Sequence, residues 1–326
     1  MDRTLKKFGF VEKYFHTGEV ILNYVEGPKN GPALVFIPGQ SATWEEYTFI
    51  MPLLSSRFHV FAVTLRGHGK SSWTPGQYTF NRLGKDMTKF LSHAVGEPAI
   101  VAGNSSGGVL TVWLAANSPD VVRAIVLEDP PLFRCDWPNI LTTSVYDVWL
   151  AFSRLAVAGG GGYPRFFMDQ IVNRSNEAKG VVRSRKFPKL LAKYIVWRIA
   201  RQQAFSPDKP VDIKLLPKKT RIMMRSTSQF DGNFARAFAD GSAGEGFDHA
   251  ETLSRIAQPI LFLHANYFMH QGRLMGALDG DDVARVQSLI RGPWKYIRMN
   301  CAHAIALDAP EAEAKEILAW ANDYLK

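Results

Sequence analysis

Short apolar runs alternate with longer amphipathic ones along this chain, and that rhythm predicts its elements. Residues 10–16 and 20–26 alternate apolar and polar positions around Thr17-Gly18-Glu19, which predicts an antiparallel hairpin at a sheet edge. Residues Ala33–Ile37, 59–65, 98–102 and 122–127 are apolar almost throughout. Runs of this kind read as strands buried on both faces of a parallel sheet. Helical patterns lie between them. One starts at Thr43-Trp44-Glu45-Glu46, where the spacing predicts a capping box, and runs toward Leu54. Others cover residues 80–94 and 109–117. Alternating strand and helix predicts an α/β protein with a mostly parallel, twisted sheet and helices on both faces.

The alternation stops after Asp129-Pro130-Pro131. From there to about residue 247 the pattern is mainly helical, broken at the glycine run 159–162 and at Pro188, Pro207 and Pro217. The glycine run reads equally as a flexible joint or an ordinary loop. Core patterning resumes with a strand over 259–264, a helix over 281–290, a strand over 294–299 and a closing helix over 310–325, with proline in its first turn. The expected organisation is a core formed by residues 1–133 and 250–326, interrupted by a helical cap at 134–249. There is no internal repeat and no low-complexity tail.

Composition narrows the class. The chain has 326 residues, 46% of them hydrophobic, enough for one large core plus an insertion. Cys135 and Cys301 make no disulfide framework and fit a reducing compartment. The charged first 13 residues predict no secretory signal, and no apolar run reaches the length of a membrane span. A cytoplasmic protein without an integral membrane segment is expected, and a homodimer stays open. Net charge is +9, and residues 160–225 hold 16 Lys and Arg against 4 Asp and Glu. Such a segment could face nucleic acid, an anionic membrane or an acidic substrate. A solvated helical face is the favoured reading, because its basic and aromatic residues follow no nucleic-acid motif.

The chemistry concentrates in Gly103-Asn104-Ser105-Ser106-Gly107-Gly108, a G-x-S-x-G motif with a predicted strand before it and a helix after it. A serine on such a turn is the nucleophile elbow: its hydroxyl is pushed into the open at a helix N-terminus that favours developing negative charge. Ser105 is the candidate nucleophile.

These residues resemble the α/β-hydrolase superfamily across nearly the whole chain. The matching pieces are Pro38-Gly39-Gln40 after strand three, Arg66-Gly67-His68-Gly69-Lys70-Ser71 after strand four, the elbow, and Cys301-Ala302-His303 after the last strand. The resemblance implies an α/β-hydrolase fold and a Ser…acid…His order. His303 then becomes the general base. His68 belongs to the loop pattern, His249 to a helix start, and His264 and His270 to the loop after strand seven. The oxyanion donors implied are the backbone N–H groups of Gln40 and Ser106, with Gly39 allowing close approach. Many relatives carry His-Gly where this chain has Pro38-Gly39.

The acid departs from the common pattern. Most relatives place it after strand seven, where this chain reads His264-Ala265-Asn266-Tyr267-Phe268 without a carboxylate. Asp279, Asp281 and Asp282 look like a helix start. Some dehalogenases and resorcylic-lactone hydrolases carry the acid after strand six, where this chain has Glu128-Asp129. Side chains alternate along a strand, so only one of the pair can serve. Asp129 is preferred because Pro130 and Pro131 turn the chain away above the site. This placement, with the two serines of the elbow, makes the chain similar to zearalenone-type lactone hydrolases.

The resemblance implies a serine hydrolase cleaving a carboxylic ester or lactone through an acyl-enzyme, with no cofactor and no metal. Carbon–carbon bond hydrolysis of ring-cleavage products is the alternative within enzymes, and a slow-turnover small-molecule receptor the alternative outside them. The segment after Pro131 is rich in aromatic residues, Trp137, Tyr146, Trp149, Phe152, Tyr163 and Phe187 among them. They are expected to roof an apolar cleft for a hydrophobic substrate, contacted by Gly39, Trp149 and Phe152.

Overall fold

The computed structural model describes residues 2–158, 162–172, 175–176, 181–182 and 189–324. Most of the glycine run, with Phe187 and Pro188, lies outside the described residues. The central sheet contains β1 (Val11–His16), β2 (Ile21–Glu26), β3 (Ala33–Ile37), β4 (His59–Thr64), β5 (Ala99–Asn104), β6 (Val122–Glu128), β7 (Ile260–His264) and β8 (Trp294–Arg298). Their spatial order is β1-β2-β4-β3-β5-β6-β7-β8. β2 pairs antiparallel with both β1 and β4, and every other pairing is parallel.

Period-two alternation divides the apolar strands between two cores. Val35, Ile37, Val101, Ile125 and Leu127 face one layer, with α1 (Phe80–Phe90) and α2 (Ser106–Asn117). Leu34, Phe36, Ile100, Ala102 and Val126 face the other, where the closing helix Pro310–Tyr324 buries Ile317 and Trp320. Strands with side chains buried on both sides must be apolar throughout, which is why they stand out in the sequence.

Between β6 and β7 run the longer helices α3 (Ser144–Ala158), α4 (Tyr163–Val172), α5 (Lys189–Phe205), α6 (Lys218–Ser228) and α7 (Gly232–Ala239). Trp149, Phe152, Phe230, Phe234 and Phe238 join the core on the α2 side of the sheet. Tyr163, Ile195, Ile199, Val211, Ile213 and Met224 form a separate small cluster. Two short hairpins lack a signal in the sequence: Ser175–Asn176 with Val181–Val182, and Phe268–His270 with Arg273–Met275.

Local departures from expectation have identifiable causes. The segment 43–54 is a 3-10 turn (Trp44–Tyr47) followed by a short helix (Met51–Leu54), with Pro52 at its start. Thr43 caps the first turn by accepting from the Glu45 N–H at 3.4 Å. The expected capping box does not close, because the Glu46 carboxylate turns inward to the Gly39 N–H. Helix α1 stops at Phe90 and widens into a π turn over Leu91–Val95, closed by left-handed Gly96.

The loop after β4 is anchored by Arg66, which is fully buried and makes two bonds to Asp86, at 2.5 and 2.8 Å. Removing one partner of a buried pair strands the other charge, at a cost of about 3–5 kcal/mol. Asp86→Ala should therefore lower the unfolding free energy from a urea titration by about 3 kcal/mol, the low end of that range because Glu19 still pairs with Arg66 at 3.1 Å, with an unchanged slope. A shift worth less than about 1 kcal/mol, in the range typical of surface pairs, would contradict the anchoring role.

Candidate active site

The elbow is a backbone crossing too tight for side chains. A Cβ on Gly107 would stand 2.3 Å from the Ile37 carbonyl oxygen, and one on Gly103 would stand 2.4 Å from that of Gly107. Ser105 between them adopts φ +53° and ψ −126°, a conformation L-residues rarely hold. Its N–H donates to the Glu128 carbonyl at 2.9 Å, locking the turn to β6. Helix α2 begins at Ser106, so the first-turn N–H groups, which have no partner within the helix, lie beside the Ser105 side chain.

Asp129 follows β6 with φ +50°. Its Oδ2 receives a hydrogen bond from His303 Nδ1 at 2.6 Å, and its Oδ1 receives one from the Ala265 N–H at 3.1 Å. The tail of β7, which has no carboxylate of its own, thus supplies a backbone donor to the carboxylate from β6. Glu128 points to the opposite face, fully buried, 3.3 Å from the Tyr47 hydroxyl. Burial pushes its carboxyl well above the ordinary range, with the nearby Glu313 and Glu46 adding to the effect. Adjacent carboxyls therefore occupy different environments, and only Asp129 meets the imidazole. Asp279 caps the helix Gly280–Leu289 and pairs with Arg134 at 2.6 Å, away from this cluster.

Asn104, just before the nucleophile candidate, carries no mark in the sequence beyond its place in the elbow. Its Nδ2 donates to the backbone carbonyl of His303 at 3.0 Å and to that of Glu128 at 3.2 Å, so one amide ties the histidine loop to two strand ends. The sequence pattern places Glu46 in a capping box with Thr43. It is buried, accepts from the Gly39 N–H at 3.3 Å and lines the same cavity as Ser105. Its distance from Thr43 is the capping-box spacing, and nothing in the sequence marks Gly39 as its partner.

Ser105, His303, Gly39 and Gln40 line one cavity of about 150 Å³. Helix α6 roofs it with Ile222, Met223, Ser226 and Thr227, and Leu307 closes another side. That helix is pinned to the core by Lys218–Asp2 and Arg225–Glu45 ion pairs, both at 2.9 Å, by Lys219–Asp308, and by the Ser226–Thr43 hydroxyl pair at 3.1 Å. Trp149 and Phe152 do not line this cavity. Trp149 packs edge-on to Phe238, and Phe152 against Phe166 and Phe230. The expected aromatic roof is therefore replaced by an aliphatic and hydroxyl one, because these aromatics pack against one another and the sheet. A larger polar cavity of about 440 Å³, lined by Glu12, Glu45, Lys70 and Arg225, contains neither Ser105 nor His303. Among the described residues no cluster of His, Cys, Asp or Glu is placed to hold a metal ion, and no helix is long and apolar enough to cross a membrane.

A sheet in the order 1-2-4-3-5-6-7-8, with a serine elbow after β5 and a histidine after β8, defines a class of α/β proteins. Residues 32–167 match the family model described as the alpha/beta hydrolase fold. The chain has the α/β-hydrolase fold. It is 32% identical over 148 residues to bifunctional epoxide hydrolase 2 of Sus scrofa, covering 43% of this chain and 26% of that one. It is 32% identical over 120 residues to 2-(acetamidomethylene)succinate hydrolase of Mesorhizobium japonicum, covering 37% of this chain and 43% of that one. The chain thus spans less than half the length of these curated relatives. The crystal structure of the enol-lactonase from Burkholderia xenovorans LB400 superposes with a TM-score of 0.64 at 16% identity, covering 95% of this chain and all of that one, which shows a shared fold.

Glu46 gives this site a pH signature. Burial pushes its carboxyl from 4.5 up to about 7. A raised folded-state value means the stabilising contribution is fully present below pH 4.5 and is lost as pH rises to about 7. Glu46→Gln keeps an acceptor for the Gly39 N–H and cannot ionise. Its melting temperature should match the wild type near pH 4.5 and exceed it at pH 8; a difference independent of pH would contradict this.

Proposed function

We propose that the protein is a serine hydrolase acting on a carboxylic ester or lactone, with Ser105 as nucleophile, His303 as general base and Asp129 as the acid that orients it. The observation carrying this reading is the 2.6 Å bond from His303 Nδ1 to Asp129 Oδ2, made by an imidazole that shares a cavity with Ser105. The carboxylate fixes the tautomer with its proton on Nδ1, leaving Nε2 to take the Ser105 proton as Oγ attacks the carbonyl. The N–H groups of Gln40 and Ser106 receive the oxyanion. The leaving alkoxide takes the proton from His303, and water, activated by the same imidazole, clears the acyl-enzyme. In a lactone the alkoxide remains attached to the acyl chain.

The relatives named as hydrolases of epoxide, acetamidomethylene succinate and enol-lactone support hydrolysis as the reaction class. The lactone arm rests on the acid following β6, the feature that resembles zearalenone-type lactone hydrolases. A cavity of about 150 Å³ with Ile222, Met223 and Leu307 in its wall suits an apolar acyl group of moderate size.

Ser105→Ala should fold normally and lose hydrolysis of p-nitrophenyl esters and macrolactones. Asp129→Asn should lower kcat by about 10⁴-fold, the effect of the wrong imidazole tautomer. Glu128→Gln should cost far less. Among esters, apolar acyl chains of medium length should give higher kcat/KM than acetate or bulky diaryl groups. An active Ser105→Ala variant, or a greater loss at Glu128 than at Asp129, would refute the assignment.

A further inference from the structure

The turn after β3 presents three successive N–H groups, those of Gly39, Gln40 and Ser41. The first donates to Glu46 Oε2 at 3.3 Å, and the third donates to His68 Nε2 at 3.0 Å. The middle one, of Gln40, has no partner among the described residues. Ser41 takes a left-handed φ of +62°, which costs energy for a non-glycine residue and persists only where the surroundings hold it. The turn also lies hard against the elbow: a Cβ on Gly39 would stand 2.9 Å from Ser105 Cβ.

We infer that His68 and Glu46 are positioning residues that grip this strap from either side and leave the Gln40 N–H unspent and facing the nucleophile. The inference rests on the ester-hydrolase reading only for what that N–H then does, which is to receive the oxyanion.

His68 suits the task. Its Nδ1 lies 3.0 Å from the Arg66 carbonyl, which can only accept, so Nδ1 carries the proton. Its Nε2 faces the Ser41 N–H, which can only donate, so Nε2 is bare. Both neighbours demand the same neutral tautomer. Burial supports it by pushing the imidazole down to about 4. The ring is wedged between Phe230 at 4.8 Å and Phe234 at 4.6 Å, and Arg66 is itself fixed by Asp86, so the acceptor cannot drift. Mutagenesis of oxyanion donors costs about 10²–10³ in kcat, so mispositioning one should cost a sizeable part of that.

Two substitutions separate positioning from packing. His68→Phe keeps a ring between Phe230 and Phe234 but removes the acceptor. In His68→Gln, the Gln oxygen reaches the place of Nε2 and restores an acceptor. Two readouts are taken on each: kcat and KM on a p-nitrophenyl ester, and amide hydrogen exchange of the peptide covering residues 37–44. The expected result for His68→Phe is faster exchange and a tenfold or larger fall in kcat with KM changed less than threefold. His68→Gln should recover at least fivefold in kcat over His68→Phe and slow the exchange again. Should His68→Phe fail to fold, Glu46→Met releases the strap from its other end and should give the same pair of changes. Unchanged exchange in a folded variant overturns the inference, and so does a Gln variant as impaired as the Phe variant. Faster exchange with unaltered kcat overturns the strap's part in catalysis. Wild-type protein inactive on every ester and lactone, with exchange still responding to His68, would sink the hydrolase reading and leave the grip on the strap standing.

Discussion

Everything at the carboxyl end of this sheet depends on how closely the end of β3 and the start of α2 cross. Backbone meets backbone there, with 2.3 Å between the Ile37 oxygen and the place a Gly107 Cβ would occupy. That approach forces Ser105 into a positive φ and lifts its hydroxyl clear of the strand. It also sets Gly39 against the serine and aims the first turn of α2 at the same point. The groups lining the cavity come from the carboxyl ends of β3 and β5, from the loop after β8 and from α6, and Asp129 at the end of β6 joins them through His303, as expected for ligands at an open parallel sheet. The glycines are the means: a side chain at 103 would push α2 away from β5, and one at 107 would push it away from the end of β3.

The electrostatics divide by sheet face. Asp129 and Glu128 are neighbours in the chain, yet one holds an imidazole and an amide N–H while the other sits among Tyr47, Glu46 and Glu313 in a buried layer. On the outer side, α6 covers the cavity while its ion pairs reach down to the N-terminus, the Thr43–Glu46 turn and the Asp308 helix. Each such partly exposed pair is worth about 0–1 kcal/mol and is screened by salt, so the roof is held by several weak ties and the packing of Ile222 and Met224.

The sheet was legible in the sequence because strands buried on both faces admit little but apolar residues, and because the glycines of the elbow have no cheaper explanation than a tight crossing. Side-chain alternation says that Glu128 and Asp129 cannot both serve, and the two do point to opposite faces; the preference for Asp129 rests on the turn at Pro130 and Pro131. What local reasoning missed were contacts to distant backbone. Glu46 carries the spacing of a helix cap, yet bonds to a loop glycine; propensity cannot distinguish the two. Trp149 and Phe152 are expected from the sequence at the substrate cleft, but hydrophobicity does not say against what an aromatic packs, and they lie on Phe238, Phe166 and Phe230 instead of lining the cavity of Ser105. His68 and Asn104 act on carbonyls and amides, which have no sequence signature at all.

The most direct test of the account is the crystal structure of the protein after reaction with an alkyl fluorophosphonate. The account predicts a covalent bond from phosphorus to Ser105 Oγ, with one phosphoryl oxygen about 2.7–3.1 Å from the N–H groups of both Gln40 and Ser106. Phosphorus on Ser106, or a phosphoryl oxygen on Ser105 turned away from the Gln40 N–H, would contradict it.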